Sequence, residues 1–558
     1  MSGKNNLSGT EKIKLASQGL RGTLKESLKD DYTGAIREDD QALVKFHGMY
    51  MQDDRDRREE RSRKKLEPLY SFMIRLRLPG GLMTPEQWIG LYHIAGKYST
   101  GTIKITTRQT IQLHGILKSH TKPTISAFNT LHLDSIAACG DVNRNVTCAS
   151  HPKESPLHEE IYQFAREISA YHLPKTRGYY EIWMDAEKLA ETTEEDPLYQ
   201  DRYLPRKFKI GIAIPPNNDI DVFINDLGLI AIIEDGILKG YNFAAGGGLG
   251  STHGNPATYA RLGSMLGYVP REKALKAIYE VITVQRDFGN RSDRKQARLK
   301  YTIDKMGVDQ YREEVEKRCG FQFEPARPYT FTSRKDAYGW SQNHEGKWYY
   351  TLFVENGRVL DEKGYPLKTG LLKVAETGKA NFRFTCNQNL ILSDIADEDK
   401  AAITDILTAH GIIQSTSGAS AIRKNAMACV ALNTCGLALA EAQRYLPTLI
   451  TKLEPVLQKH QLQDEDIIVR MTGCPNGCGR SPNAEIGFVG TALGKYNLHL
   501  GGDRLGSRLN TKYKESLDER QIIDTLDELF GIYVKERMPE ETFGDFSQRK
   551  WIDPTPNL

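Results

Sequence analysis

The sequence predicts an α+β fold made by duplication, in which a small α+β unit followed by a larger α/β unit occurs twice. Two pairs of segments carry this. IKITTRQTIQL (103–113) aligns without a gap on FRFTCNQNLIL (382–392), 279 residues further along. Each follows a Pro/Gly turn and a helix-like segment, LYHIAGKY in one copy and LLKVAETG in the other. Their β-branched and aromatic content reads as a strand following a helix. GYNFAAGGGLG (240–250) likewise resembles KYNLHLGGDRLG (495–506), with Tyr and Asn at matching distance before paired glycines and a short β-type run, LGLIAII or IGFVG, ahead of each. Chance similarity of two unrelated α/β units is the alternative. The units fall at about 68–135 and 136–320, then 325–410 and 411–558. A crevice between duplicated units is a natural cofactor site.

Residues 1–67 differ in kind. They begin polar and end in DDRDRREERSRKK (53–65), where 12 of 13 residues are charged. Such a run reads as a solvated helix or flexible arm, and its functional alternative is a docking arm for a redox partner.

With 558 residues the chain has room for about three or four domains with large cores. Its 75 Lys and Arg against 72 Asp and Glu leave a net charge of +3, which suggests neither a nucleic-acid binder nor a membrane-surface protein. No apolar run approaches the roughly 20 residues that span a bilayer, and MSGKNNLSGTEKIK lacks the apolar centre of a signal peptide. A cytoplasmic protein is expected, in which eight cysteines serve as thiols or metal ligands. GGGLG at 246–250 opens no helix after a strand and is a weak nucleotide signal.

Cys429, Cys435, Cys474 and Cys478 form a C-x5-C-x38-C-x3-C constellation. Four thiolates suffice for a 4Fe–4S cluster. Structural zinc usually pairs ligands with about two to four residues between them, so the wide first gap and the distant CPNGC loop fit a larger object better, zinc remaining the rival. Pro475, Asn476 and Gly477 disfavour helix and free backbone N–H groups to face sulfur or an anion. Cys139, Cys148, Cys319 and Cys386 lack a ligand pattern and read as packed thiols.

NTCGLALAEAQRYLP and VRMTGCPNGCGR, together with FHGMYMQDDRD, TTRQTIQLHG, DVNRNV and LPRKFK in this order, resemble the sirohaem and 4Fe–4S nitrite and sulfite reductases, on the branch of the NADPH-linked haemoprotein β subunits, from about residue 20 to the end. The resemblance implies a pseudo-twofold duplication of a ferredoxin-like unit plus a larger sirohaem- and cluster-binding unit. It implies six-electron reduction of sulfite to sulfide in cysteine biosynthesis, electrons arriving from NADPH through a flavoprotein α subunit. Cys478 would ligate a cluster iron and also supply the axial thiolate to sirohaem.

Sirohaem is polycarboxylated, so its pocket should be rich in guanidinium and ammonium groups. Arg75 and Arg77 alternate in IRLRLPGG, Lys104 and Arg108 flank a Thr pair, Arg144 sits in DVNRNV, and Arg206, Lys207 and Lys209 crowd LPRKFK. By the resemblance, Arg75, Arg144, Lys207 and Lys209 surround bound sulfite. Arg108, Gln112, His114 and Asn476 line the macrocycle, with Lys104, Thr106, Arg206 and Gln388 as further cofactor-binding candidates. A nitrite reductase or ferredoxin-fed sulfite reductase of the same fold is the alternative, and a non-catalytic cofactor-binding protein a third class. LPRKFK favours sulfite.

Overall fold

The computed structural model describes residues 6–151, 156–175 and 196–554. Four five-stranded sheets occur in two matched pairs. The first runs Met49–Asp53, Tyr70–Arg75, Ile111–Ile116, Ile103–Ile105 and then Arg358–Val359, antiparallel throughout. Its counterpart runs Gly339–Gln342, Trp348–Leu352, Leu390–Ile395, Asn381–Phe384 and then Leu82–Met83. Each of these sheets therefore takes its last strand from the other copy. The larger sheets also match. Thr147–Cys148, Ile210–Ala213 and Leu227–Glu234 are parallel and continue antiparallel into Ile237–Ala245 and Ser264–Pro270. Ala426–Ala428, Val469–Thr472 and Ile486–Ala492 continue in the same way into Lys495–Leu500 and Thr511–Leu517. The fold class read from the sequence is the one observed.

The strand exchange depends on one glycine in each copy. Gly81 and Gly357 have φ of +72° and +66°, which favour residues without Cβ. A Cβ on Gly81 would stand 3.1 Å from the Phe384 carbonyl, and one on Gly357 would stand 2.3 Å from that of Ile105. The helix Pro85–Tyr98 follows the first exchanged strand and begins with a reciprocal cap between Thr84 and Gln87, with Pro85 in its first turn. From it Trp88, fully buried, stacks at 4.5 Å on Phe382 of the other copy. One continuous core runs beneath both small units and the first large one, and a second core lies beneath residues 422–546.

The sequence reading of 103–113 and 382–392 as single strands needs correction. Each is a hairpin whose turn, TTRQT or TCNQN, carries a glutamine in left-handed conformation, Gln109 (φ +50°) and Gln388 (φ +69°). The turn places Arg108 and Asn387 at equivalent points. Arg77 does not share a strand face with Arg75. That strand ends at Arg75, and Arg77 pairs instead with Asp134.

The boundary expected at residue 67 also fails. Met49–Asp53 is the outer strand of the first sheet, and the helix Gly9–Ala16 buries both Glu11 and Lys14. Charge is tolerated there because it is paired. Lys14 meets Glu11 and Asp141, Glu11 meets Arg291 at 2.6 Å, and Lys14 Nζ donates to the Leu204 carbonyl at 2.8 Å. The helix Arg58–Arg63 and the 3-10 turn Arg55–Arg57 ahead of it have no buried residue, as the charged run led one to expect. Residues 1–5 lie outside the described chain.

One buried carboxylate also links the halves. Asp221 and Arg480 occupy equivalent places, each six residues before an equivalent strand and each in left-handed conformation ahead of a short 3-10 turn. They pair with each other at 2.8 Å, and Asp221 also receives Arg470 at 2.6 Å and Arg334 at 3.0 Å, all four side chains being buried. Burial alone would raise the Asp221 pKa, but Arg470, Arg334 and Arg480 hold it well below the usual carboxylate range.

Two outcomes follow. Asp221→Asn strands three buried guanidinium groups and should cost about 3–5 kcal/mol in urea unfolding at neutral pH. Because the folded pKa is depressed, the carboxylate's contribution is complete above the unfolded value of about 4 and fades as the pH falls below it. Parent and variant should therefore converge only in acid. Deleting residues 1–60 bares the Tyr70–Arg75 strand edge and should lower the urea midpoint and produce aggregates on size exclusion. A truncated chain that stays monomeric with an unchanged midpoint would show the segment to be dispensable.

Candidate sirohaem and cluster site

Three loops without regular structure meet at the site. Cys429 and Cys435 lie on the irregular stretch that follows the strand Ala426–Ala428, and Cys474 and Cys478 follow the parallel strand Val469–Thr472. The first copy supplies the opposing walls. Thr107 Oγ1 donates to the Cys478 carbonyl at 3.3 Å, and Arg480 donates to the Thr107 carbonyl. Ser251 N donates to the Pro475 carbonyl at 2.9 Å, and a Cβ on Gly250 would stand 3.1 Å from the Asn476 carbonyl. The glycine run 246–250 thus backs the CPNGC loop. It is fixed in turn by Lys300, whose Nζ donates to the carbonyls of Gly248, Gly250 and Tyr259.

All four cysteines are unpaired thiols. Among the described residues, no three His, Cys, Asp or Glu side chains stand close enough to hold a single metal ion. The four thiols are nonetheless near neighbours. Burial raises the pKa values of Cys429, Cys435 (to about 11) and Cys474, and for each the next cause is Cys478. Four neighbouring thiols suit a cube with a thiolate at each corner. Gly473 N and Asn476 Nδ2 donate to the sulfurs of Cys429 and Cys474, both at 3.4 Å, as hydrogen bonds to cluster ligands do.

Cys478, the exposed member, also faces the cations. Phe208 is fully buried and bridges Asn143, so the extended chain projects Lys207 and Lys209 away from it together. Burial drives both lysines well below their ordinary pKa. Arg206, Arg298 and Arg144 add to this at Lys207, where Cys478 opposes, and Lys207, Arg108 and Arg298 add to it at Lys209, where Asp226 opposes. Arg206 falls to about 10 through burial and Arg294, despite Asp141 at 3.9 Å. Burial would raise Asp141, but Arg294, Lys14 and Arg206 hold it low. Among the described residues neither lysine has an ion-pair partner. Cations so crowded require an anion, and a carboxylate-rich macrocycle with an oxyanion substrate is one.

The other candidates divide into two groups. Arg75, Gln112, Lys104 and Arg358 form one row across four strands of the first sheet. With the Gln112 amide oriented so that its oxygen faces Arg75, Arg75 Nε donates to it at 3.0 Å, while Nη1 donates to Cys139 Sγ at 2.9 Å. Cys139, read from sequence as a packed thiol, therefore holds a site arginine. Lys104 lies on the cluster side. Its ammonium donates to the Asn356 carbonyl, and burial lowers its pKa to about 7 against the influence of Cys429. Gln388 also lies there, donating to Ala428 at 3.1 Å, and so does His114, whose Nδ1 sits 3.4 Å from Thr434 Oγ1. Burial, then Lys104 and Arg75, depress His114 to about 3, so it is neutral.

On the other side, Arg144 is braced by the Gly140 carbonyl at 2.9 Å. Arg108 donates to Asn225, to the Asn145 carbonyl at 2.5 Å and to the Ile210 carbonyl at 3.2 Å, and burial lowers it to about 10. Thr106 Oγ1 accepts from Arg108 N and shapes the turn. Sequence reasoning missed Arg298, Lys300, Arg470 and Arg480. Their signal was present, as cations inside the apolar-flanked runs ARLKYTI and IIVRMTGCPNGCGR.

The profile of the nitrite and sulphite reductase 4Fe–4S domain matches residues 165–323, and that of the nitrite/sulfite reductase ferredoxin-like half domain matches 64–130 and 341–410. The first match covers the copy without the four clustered cysteines. Among curated proteins, the sulfite reductase (NADPH) hemoprotein beta-component of Leptospira biflexa is 64% identical over 97% of each chain. That of Myxococcus xanthus is 51% identical over 99% of this chain and 98% of its own. The solved structure of the NirA protein of Mycobacterium tuberculosis superposes with a TM-score of 0.80 at 26% identity, covering 98% of this chain and 97% of that one.

Replacing Cys478 should abolish the joint sirohaem and cluster absorbance, whereas Cys148→Ser, in a core where burial lifts the thiol to about 12, should leave it nearly unchanged. Visible spectra with iron and acid-labile sulfide analysis of both variants decide this. Equal losses would mean that the ligand set has been misassigned.

Proposed function

Because the chain belongs to the nitrite and sulfite reductase family, as a haemoprotein beta-component of the NADPH sulfite reductase type, we propose that Arg75, Arg144, Lys207 and Lys209 are the residues that bind its sulfite. The chain is an enzyme that reduces sulfite to sulfide and carries sirohaem and a 4Fe–4S cluster. When bound, these groups would relay the six electrons that the partner subunit delivers and supply the metal that binds the substrate. The observation that carries our residue assignment is the position of Cys478, which neighbours the other three thiols on one side and Lys207 on the other. A thiolate there would stand between the other three thiols and the substrate pocket, so we assign Cys478 as the residue that would hold both groups.

The chain's residues provide charge and protons. Burial and neighbouring cations disfavour Lys207 and Lys209 as ammonium ions, and an oxyanion between them restores the charged form. Each Nζ then donates to a substrate oxygen and can pass it a proton as that oxygen leaves as water. Arg75 and Arg144 supply guanidinium groups. They are held by Cys139 and Gln112 in one case and by Gly140 in the other, so the field is in place before charge develops on the substrate.

The beta-component relatives imply a partner subunit, and we assign it as the flavoprotein that oxidises NADPH. We assign the exposed helix Arg58–Arg63, which buries no residue, as the part of the amino-terminal segment that meets it. Among the described residues no helix is long and apolar enough to cross a membrane.

Sulfite is largely dianionic near neutral pH and has three oxygens, whereas nitrite is a monoanion with two. Losing one ammonium should therefore penalise sulfite more. A charge-assisted contact is worth about 1.5–3 kcal/mol, or roughly tenfold to a hundredfold in rate. Lys209→Asn is expected to lower sulfite turnover by that factor and nitrite turnover far less, in one dye-coupled assay at matched sirohaem content. Proportional loss on both substrates would move Lys209 out of substrate recognition.

A further inference from the structure

The loop that carries Cys435 has no secondary structure of its own, and its shape is imposed by three residues of the amino-terminal segment. Arg55 N donates to the Asn433 carbonyl at 3.2 Å. The Arg55 guanidinium bridges two carbonyls, those of Ala438 at 2.6 Å and of Cys435 at 3.3 Å. On one side Asn433 Nδ2 donates to Asp54 at 2.8 Å, and on the other Arg444 pairs with Asp56 at 2.6 Å. The Asp-Arg-Asp run thus clasps the loop at points before, at and after Cys435. Asp54 accepts from Asn433, Asp56 pairs with Arg444, and among the described residues neither acid forms an ion pair with Arg55. The guanidinium therefore rests on main-chain oxygens, one of them the carbonyl of a ligand residue.

We propose that Arg55 is a positioning residue for the cluster, fixing the Cys435 loop and raising the cluster's reduction potential. The electrostatics are direct. The cluster accepts one electron and becomes more negative by one charge, so a fixed cation nearby favours the reduced state, and cluster potentials respond to net charge, hydrogen bonding and solvent exposure. Both donations to main-chain carbonyls come from one nitrogen, Nη1, a geometry that an ammonium at the same place also supplies. The contact also explains why a stretch so charged is folded against the body.

The inference rests on Cys435 being a cluster ligand, as assigned above. If Cys435→Ser retained full iron and acid-labile sulfide, that assignment would fail, and this result is independent of the Arg55 variants. The test compares Arg55→Gln and Arg55→Lys in the holoenzyme, with iron and sulfide content, visible spectrum and the cluster's midpoint potential followed by electron paramagnetic resonance. Arg55→Gln, which keeps a donor and removes the charge, should retain the cluster and shift its potential downward, while Arg55→Lys should stay near the parent. If Arg55→Gln loses iron and sulfide, recovery of both in Arg55→Lys supports the role through charge retention. A full cluster at the parent potential in Arg55→Gln would overturn the proposal, and so would equal cluster loss in both variants.

Discussion

The two halves of this molecule meet in a buried ion pair between equivalent residues. Asp221 and Arg480 stand at the same point of two copies of one unit, and divergence has given them opposite charge, so the pseudo-twofold relation is itself an attractive contact. Arg470 and Arg334 join on the same carboxylate. Three guanidinium groups on one acid leave an excess of positive charge two residues from Cys478, in surroundings that also hold Arg108. A buried acid with a single partner would be weak evidence for stability. Here it fixes the register between the first copy, which supplies the cation wall, and the second, which supplies the thiols.

The rest of the site follows from that division. Irregular loops hold the thiols, and irregular loops do not hold themselves. The walls around them are braced by charged side chains spent on carbonyls: Lys300 on the glycine run, Arg480 on the TTRQ turn, Lys14 on the chain just before Arg206. Backbone carbonyls, which a sheet would otherwise use, satisfy buried cations without adding negative charge to a pocket that must attract an anion. Asp141 and Asp226 are the acids close to the lysines, and each is itself met by arginine.

Much of this was legible in the sequence. The repeat was visible because strand and turn residues at 103–113 and 382–392 do the same geometric work twice, and the cysteine spacing described the loops that carry it. What escaped was the use of charge inside the body. Arg298, Arg470 and Arg480 look like ordinary surface cations until their partners are known, and those partners are carbonyls or an acid more than two hundred residues away in the case of Asp221 and Arg470. The amino-terminal segment was misjudged for the same reason. A charged run signals exposure only when no counter-charge waits for it, and Glu11, Lys14, Asp53 and Arg55 all find partners in the fold. Strand exchange was unreadable because Leu82–Met83 and Arg358–Val359 are too short to show any alternation.

Those two short strands bear on the history of the chain. When duplicated units sit side by side, either can be lost, copied again or passed to another gene. Once each has lent the other a sheet margin, a single unit leaves behind an unfinished edge and carries away a strand with nothing to pair with. Reciprocal lending therefore works as a ratchet. After it, the halves were free to diverge in chemistry, one losing thiols and the other gaining them, because neither could any longer be inherited alone.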